Sequence, residues 1–182
     1  MIEAVIGQVT SVCETTIVVG RNLRSLRPLV PPGVQLVRDR FRTPHPLGGL
    51  FTALDLAPTP WVFLAACDAP LLKAGLVHAL WRSRRDALAV AANFSGRLQP
   101  FAALYHRDCL PVIRNAMDTG DLSLQSILAA VKTRILPSQA LAAVDPDGLS
   151  FRDADTPAAL RELRAFAIPA FDQKARHRVS RR

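Results

Sequence analysis

The sequence predicts a three-layer α/β fold, with a mostly parallel sheet and helices on both faces. Three observations lead there. Short β-branched or apolar runs alternate with stretches of helical periodicity. The most apolar run, Trp61-Val62-Phe63-Leu64-Ala65-Ala66-Cys67, is continuous rather than alternating, which suits a strand covered on both faces. The chain has 182 residues, enough to bury one real core and normally one domain.

The elements follow in order. Ile2, Val5, Ile6, Val9 and Val12 recur at helical spacing, so residues 2–12 read as a helix. Thr15-Thr16-Ile17-Val18-Val19 is β-branched throughout and reads as a strand ending at Gly20. Pro31-Pro32-Gly33 is a turn, and 34–37 a second strand ending at Arg38-Asp39. A polar loop runs to Pro46. A helix is expected from Leu47 to Ala57, closed by Pro58 and Pro60. The strand 61–67 precedes an amphipathic helix over 71–82 and a strand over 87–92. Asn93-Phe94-Ser95-Gly96-Arg97 is turn-like, and 98–106 returns as a strand. Helices are expected over 108–118 and 123–132, and a strand over 133–136. Asp145-Pro146-Asp147-Gly148 is a loop before a short strand, 149–152. Thr156-Pro157 opens a last helix, with Thr156 as N-cap and Pro157 at its first position. The domain is drawn over 1–168, followed by a tail, 169–182.

Composition excludes several classes. Hydrophobic residues make up 49%, too many for a disordered chain. No apolar run reaches the ~18 residues of a membrane span. Met1-Ile2-Glu3-Ala4 does not begin a signal peptide, so a cytoplasmic location is expected. Cys13, Cys67 and Cys109 lie far apart and are odd in number, which argues against a zinc site or a disulfide framework. The net charge is +8, but Lys174 to Arg182 supplies five basic residues and no acid, leaving +3 (8 − 5) without it. That tail reads as a solvated, disordered segment, and no nucleic-acid surface is expected.

Gly20, Asp39 and Asp68 each follow an expected strand. If the strands are parallel, all three lie at the sheet's carboxyl edge, where such folds bind ligands. A carboxylate leaving a buried strand is partly desolvated unless a cation or donors meet it. Asp68 therefore reads equally as a magnesium ligand, used with substrate phosphates, or as a helix cap. Asp39, within Arg38-Asp39-Arg40-Phe41-Arg42, can accept from a base or ribose while arginines meet phosphate. The other reading is a solvated loop with local ion pairs. Pro46-Leu47-Gly48-Gly49-Leu50 opens a helix where glycines permit either close ligand approach or tight packing. Gly96-Arg97-Leu98-Gln99-Pro100 presents Arg97 and Gln99 to a substrate's polar edge, or is a plain hairpin connection. The histidines at 45, 78, 106 and 177 show neither metal spacing nor a Ser/His/Asp arrangement.

In order, Ile17-Val18-Val19-Gly20-Arg21, Pro46-Leu47-Gly48-Gly49-Leu50, Cys67-Asp68-Ala69-Pro70-Leu71, Gly96-Arg97-Leu98-Gln99-Pro100-Phe101 with Ala103-Leu104-Tyr105, and Asp155-Thr156-Pro157 resemble the molybdenum cofactor guanylyltransferase family. The resemblance spans most of residues 1–166. It implies a nucleotide-diphospho-sugar transferase-like fold and transfer of GMP from GTP to molybdopterin, with pyrophosphate released. It implies Asp68 as the catalytic, magnesium-binding carboxylate, and Gly20 and Asp39 on the nucleotide. Arg97 and Gln99 would lie on the acceptor, and molybdoenzyme-maturation proteins would be partners. No membrane or nucleic acid enters.

The sequence departs from the family in three places. The family's opening strand and glycine-rich loop, of the form Leu-x-Gly-Gly-x-Ser-x-Arg-Met-Gly-x-Asp-Lys, has no counterpart in these 182 residues. His45 stands where the family has glycine before Pro-Leu, and Asp153-Ala154-Asp155-Thr156-Pro157 replaces Asn-x-Asn-Thr-Pro. The sheet is therefore expected to be open, or collapsed, between the strands 15–19 and 61–67. Three readings stay open: a truncated form of an active enzyme, a loop-less relative that binds pterin or nucleotide without catalysis, and a transferase for another acceptor.

Overall fold

The computed structural model describes residues 1–41 and 45–152. In chain order these form α1 (Ile2–Thr10), β1 (Ile17–Gly20), α2 (Leu23–Leu26), β2 (Gln35–Arg38), α3 (Pro46–Leu56), β3 (Trp61–Ala65), α4 (Ala74–Arg82), β4 (Ala89–Phe94), β5 (Arg97–His106), α5 (Leu110–Asp118), α6 (Leu124–Ala130), β6 (Thr133–Leu136) and α7 (Ser138–Leu141). Single 3-10 turns lie at Arg27–Leu29, Arg107–Cys109 and Leu149–Phe151.

The strands form two sheets. β1 pairs in parallel with β2, from Ile17 opposite Gln35 to Gly20 opposite Arg38. The larger sheet runs β3-β5-β4-β6. β5 is antiparallel to both β3 and β4, while β4 and β6 are parallel. Three of its four strands therefore point the same way, and β5 alone is reversed. The reversal follows from the turn at Ser95-Gly96, where both residues have positive φ, 50° and 77°. Such a two-residue turn matches strand twist and returns the chain as a hairpin.

Alternate residues of the central strands feed two cores. Ala89, Ala91, Ala103 and Tyr105 pack with α3, α5 and α6 on one face. Val90, Ala92, Ala102 and Leu104 pack with α4 and with Val5 of α1 on the other. The sheet is mixed, with helices on both sides.

β1 and β3 do not pair. A cleft of about 650 Å³ lies between them, lined by Ile17–Val19 and by Trp61–Ala65. This is the opening expected between those strands. It also explains why β3, read from sequence as covered on both faces, is only half-buried along its whole length.

Two local readings are corrected. Residues 149–152 are not a strand. The Asp145 carboxylate accepts hydrogen bonds from Leu149 N (3.0 Å) and Ser150 N (2.8 Å), which curls the segment into a 3-10 turn. The helix expected over 71–82 begins at Ala74, because Ala69 O accepts from Leu72 N in a turn that precedes it. The last expected helix, opened by Thr156-Pro157, and the tail lie outside the described residues.

Candidate functional site

The candidate site is built from the carboxyl ends of β1, β2 and β3. Gly20 closes β1, and its carbonyl accepts from Asp39 N (3.0 Å), which locks the two strand ends together. Asp39 turns its carboxylate back onto its own loop, where Oδ1 accepts from Phe41 N (3.1 Å). A Cβ at Gly48 would lie 3.3 Å from the same oxygen and 3.0 Å from the Phe41 ring. Gly48 thus lets the head of α3 approach Asp39 closely. His45 caps that helix, its Nδ1 accepting from Gly48 N at 2.9 Å.

The arginines around Asp39 have different duties. Arg40 forms an ion pair with Asp55 of α3. Arg21 and Arg38, both exposed at strand ends, make no ion pair among the described residues and are available to an anion. Arg42 lies outside the described residues.

Asp68 sits three residues past β3, partly exposed in a turn. It does not cap α4, whose N-cap is Lys73 with no side-chain bond. Its carboxylate accepts no hydrogen bond and meets no cation among the described residues. Its charge is felt by its neighbour. The exposed Cys67 thiol is pushed up, first by desolvation and then by the Asp68 carboxylate.

Arg97 and Gln99 lie on the outgoing arm of the β4–β5 hairpin. Arg97 is exposed, and Gln99 donates from Nε2 to Arg97 O (3.2 Å). Gln99 also lines a cavity of about 70 Å³ with Ala66 and Ala69, so it shares a wall with the Asp68 turn. Tyr105 is structural. It is fully buried, donates to Pro100 O (2.9 Å), and burial pushes its phenol well up.

Sequence reasoning missed the group beneath this turn. Asp145, 1% exposed, takes the Lys73 ammonium at 3.0 Å. Ser150 Oγ accepts from Lys73 N at 3.0 Å. Burial alone would raise the Asp145 carboxyl, but the Ser150 hydrogen bonds and Lys73 outweigh it and hold the group below its ordinary value. Its sequence signal, an acid four and five residues before the amides it holds, is that of any Asx-type loop.

The structure brings Gly20 to Asp39 and Gln99 to the Asp68 turn. Asp39 and Asp68 share no hydrogen bond, and the Asp39 carboxylate is engaged by Phe41 N instead. Among the described residues no three His, Cys, Asp or Glu side chains cluster as a metal cage. A lone carboxylate without a protein partner fits a divalent ion carried in on nucleotide phosphates, which needs only one or two protein carboxylates.

An unpartnered carboxylate, Asp68, and exposed arginines at strand carboxyl ends lie where α/β folds bind their ligands. The comparison with known sequences makes this specific. The chain belongs to the family of MobA-like NTP transferase domains, whose profile matches residues 1–135. It is similar to a molybdenum cofactor guanylyltransferase of Desulfosudis oleivorans, 29% identical over 168 residues, 91% of this chain and 81% of that protein. A Yersinia pestis protein of the same name is 35% identical over 89 residues, 49% of this chain and 46% of that one. Among solved structures, molybdopterin-guanine dinucleotide biosynthesis protein A of Archaeoglobus fulgidus superposes with TM-score 0.75 at 18% identity, over 90% of this chain and 85% of that one. A 4-diphosphocytidyl-2C-methyl-D-erythritol synthase of Anaerococcus prevotii gives 0.71 at 11%, over 91% and 84%. These two likenesses establish the fold. The family makes the chain a nucleotidyltransferase of the MobA-like kind. No helix among the described residues is long and apolar enough to cross a membrane.

Proposed function

We propose that this protein transfers GMP from GTP to the phosphate of molybdopterin, with Gly20 and Asp39 on the nucleotide and Asp68 on magnesium. The observation that carries the reading is the Asp68 carboxylate, at the carboxyl end of β3 with no partner among the described residues. A partly exposed carboxylate that no protein group engages is open to a divalent ion carried in on nucleotide phosphates. The named guanylyltransferase relative over most of the chain supports the choice of substrates.

In the reaction an oxygen of the pterin phosphate attacks the α-phosphorus of GTP. The new P–O bond forms, the α–β bridging bond breaks, and pyrophosphate leaves. A phosphate monoester is largely dianionic at neutral pH, so the nucleophile needs no general base. The protein's task is to position two anions and offset their charge. Magnesium, when bound, supplies most of that offset, and Asp68 is the residue to hold it. Asp39 presents a carboxylate oxygen to donors on the base or ribose. Arg21 and Arg38 stand where phosphate charge would fall. Arg97 and Gln99 face the acceptor from the hairpin. Three unpaired cysteines suit a reducing cytoplasm.

A second reading, substrate binding with little turnover, rests on the charge available. Arg40 is already paired with Asp55, leaving Arg21 and Arg38 among the described residues of these strand ends. At the head of α3 the Gly48 amide is already taken by His45 Nδ1, so it is not offered to phosphate. Each missing transition-state donor costs about 100-fold or more in rate. The test is pyrophosphate release from GTP, CTP and ATP with molybdopterin and magnesium. Release with GTP alone supports the substrate assignment. Preference for another nucleotide overturns it, and tight GTP binding without release selects the second reading.

A further inference from the structure

We propose that Asp145 and Ser150 are positioning residues for Asp68, acting through Lys73 on the turn that carries its carboxylate; this rests on Asp68 as the magnesium ligand. Asp68 stands between two anchored ends. Before it, β3 ends at Ala65, opposite Ala102 in the ladder with β5. After it, the chain runs in turns until α4 begins at Ala74. The carboxylate itself accepts no hydrogen bond among the described residues. Where it points is therefore set by how the two ends of its turn are held.

The second end is held at Lys73, by backbone and side chain together. Its N donates to Ser150 Oγ at 3.0 Å, and its ammonium meets the Asp145 carboxylate at 3.0 Å. Asp145 and Ser150 are buried, out of reach of a substrate, so they act only through what they hold. A buried ion pair gains little stability over an apolar pair of the same shape. What it fixes better is geometry, because hydrogen bonds are directional. Apolar packing leaves that task open. A cavity of about 70 Å³ lies between Ala66, Ala69 and Leu72 of the turn and Ser150 and Phe151 opposite. The lining of a void lacks contacts on one side, so packing alone does not fix the turn.

The clamp is itself seated on the sheet. The Phe151 ring lies 5.1 Å from that of Phe94, the last residue of β4, at the base of the hairpin that presents Arg97 and Gln99. At the head of α4 a Cβ on Gly75 would lie 3.2 Å from Val144, so the helix start rests on the residue before Asp145. Asp145 and Ser150 thus tie the metal-side turn to the same hairpin that carries the acceptor-side residues.

Three variants test this. Ser150→Ala deletes the acceptor for Lys73 N and leaves the Ser150 amide on Asp145. Ser150→Thr keeps the oxygen, and its methyl has the cavity to enter. Lys73→Met removes the ammonium through which Asp145 acts and keeps the stem. GTP is titrated calorimetrically into each, with and without magnesium, and amide exchange is followed over 66–72. In Ser150→Ala and Lys73→Met the strengthening of GTP binding by magnesium is expected to fall about 3-fold or more, in line with one lost hydrogen bond. GTP binding without magnesium is expected to stay as in wild type, and exchange over 66–72 to quicken. Ser150→Thr recovers both. In an Asp68→Asn background the same changes no longer alter the magnesium response, because the group they position is gone. A merely structural role would weaken GTP binding alike with and without magnesium, and would persist in Asp68→Asn; that result overturns the proposal. A magnesium response lost in Asp68→Asn but intact in Ser150→Ala and Lys73→Met overturns the positioning role alone. A response absent from wild type, or surviving Asp68→Asn, overturns the reading of Asp68 and the proposal with it.

Discussion

Asp145→Ala removes the group that ties the 145–151 turn to the residues following Asp68. The carboxylate is wholly buried, accepts from Leu149 N and Ser150 N, and holds the Lys73 ammonium at 3.0 Å. Breaking a buried pair by removing one partner costs about 3–5 kcal/mol. Lys73 is about a third exposed and regains water, so the lower end applies, near 3 kcal/mol. Urea unfolding of both proteins measures it, as a lower midpoint at unchanged slope. The loss also depends on pH. The folded carboxyl titrates below its ordinary value, so its stabilisation is complete above the unfolded value of about 4 and fades as pH falls through the folded value. The gap between wild type and Asp145→Asn is expected to be steady from pH 5 to 7 and to shrink in acid. A loss under ~1 kcal/mol for Asp145→Ala, or a gap that widens in acid, refutes the argument.

Two further predictions concern the same region. Gly148 has φ of 61°, and a Cβ there would lie 2.1 Å from the Phe94 ring, so Gly148→Val should destabilise by ~2 kcal/mol or more, read from the same unfolding curves. Thiol labelling at pH 7 should be slow at Cys109, which is buried and pushed up to about 11, and faster at the exposed Cys67. Because Asp68 is the second cause of the raised Cys67 thiol, Asp68→Asn should speed its labelling, and an unchanged rate would place the carboxylate elsewhere.

Much of the fold was legible in residue patterns. The β-branched run before Gly20 and the turn at Ser95-Gly96 located β1 and the β4–β5 hairpin, because local conformation decides both. The 3-10 turn at Leu149–Phe151 was not legible, since a buried carboxylate five residues away overrides the strand preference of Leu-Ser-Phe. The late start of α4 was missed for a similar reason, a turn after β3 that its apolar pattern does not reveal. For the site, the sequence placed Gly20, Asp39 and Asp68 at strand ends. It did not separate Arg40, paired with Asp55, from Arg21 and Arg38, because ion pairing is decided by the packing of α3 against the Asp39 loop.

The central claim is that Asp68 holds the metal that accompanies the nucleotide. Calorimetric titration of GTP into wild type and Asp68→Asn, each with and without magnesium, tests it most directly. The account predicts that magnesium strengthens GTP binding to wild type about 10-fold or more, as a charge-paired carboxylate worth at least ~1.4 kcal/mol requires. It predicts that Asp68→Asn unfolds at the same urea midpoint but binds GTP equally with or without the metal. Unchanged magnesium dependence in Asp68→Asn would contradict it.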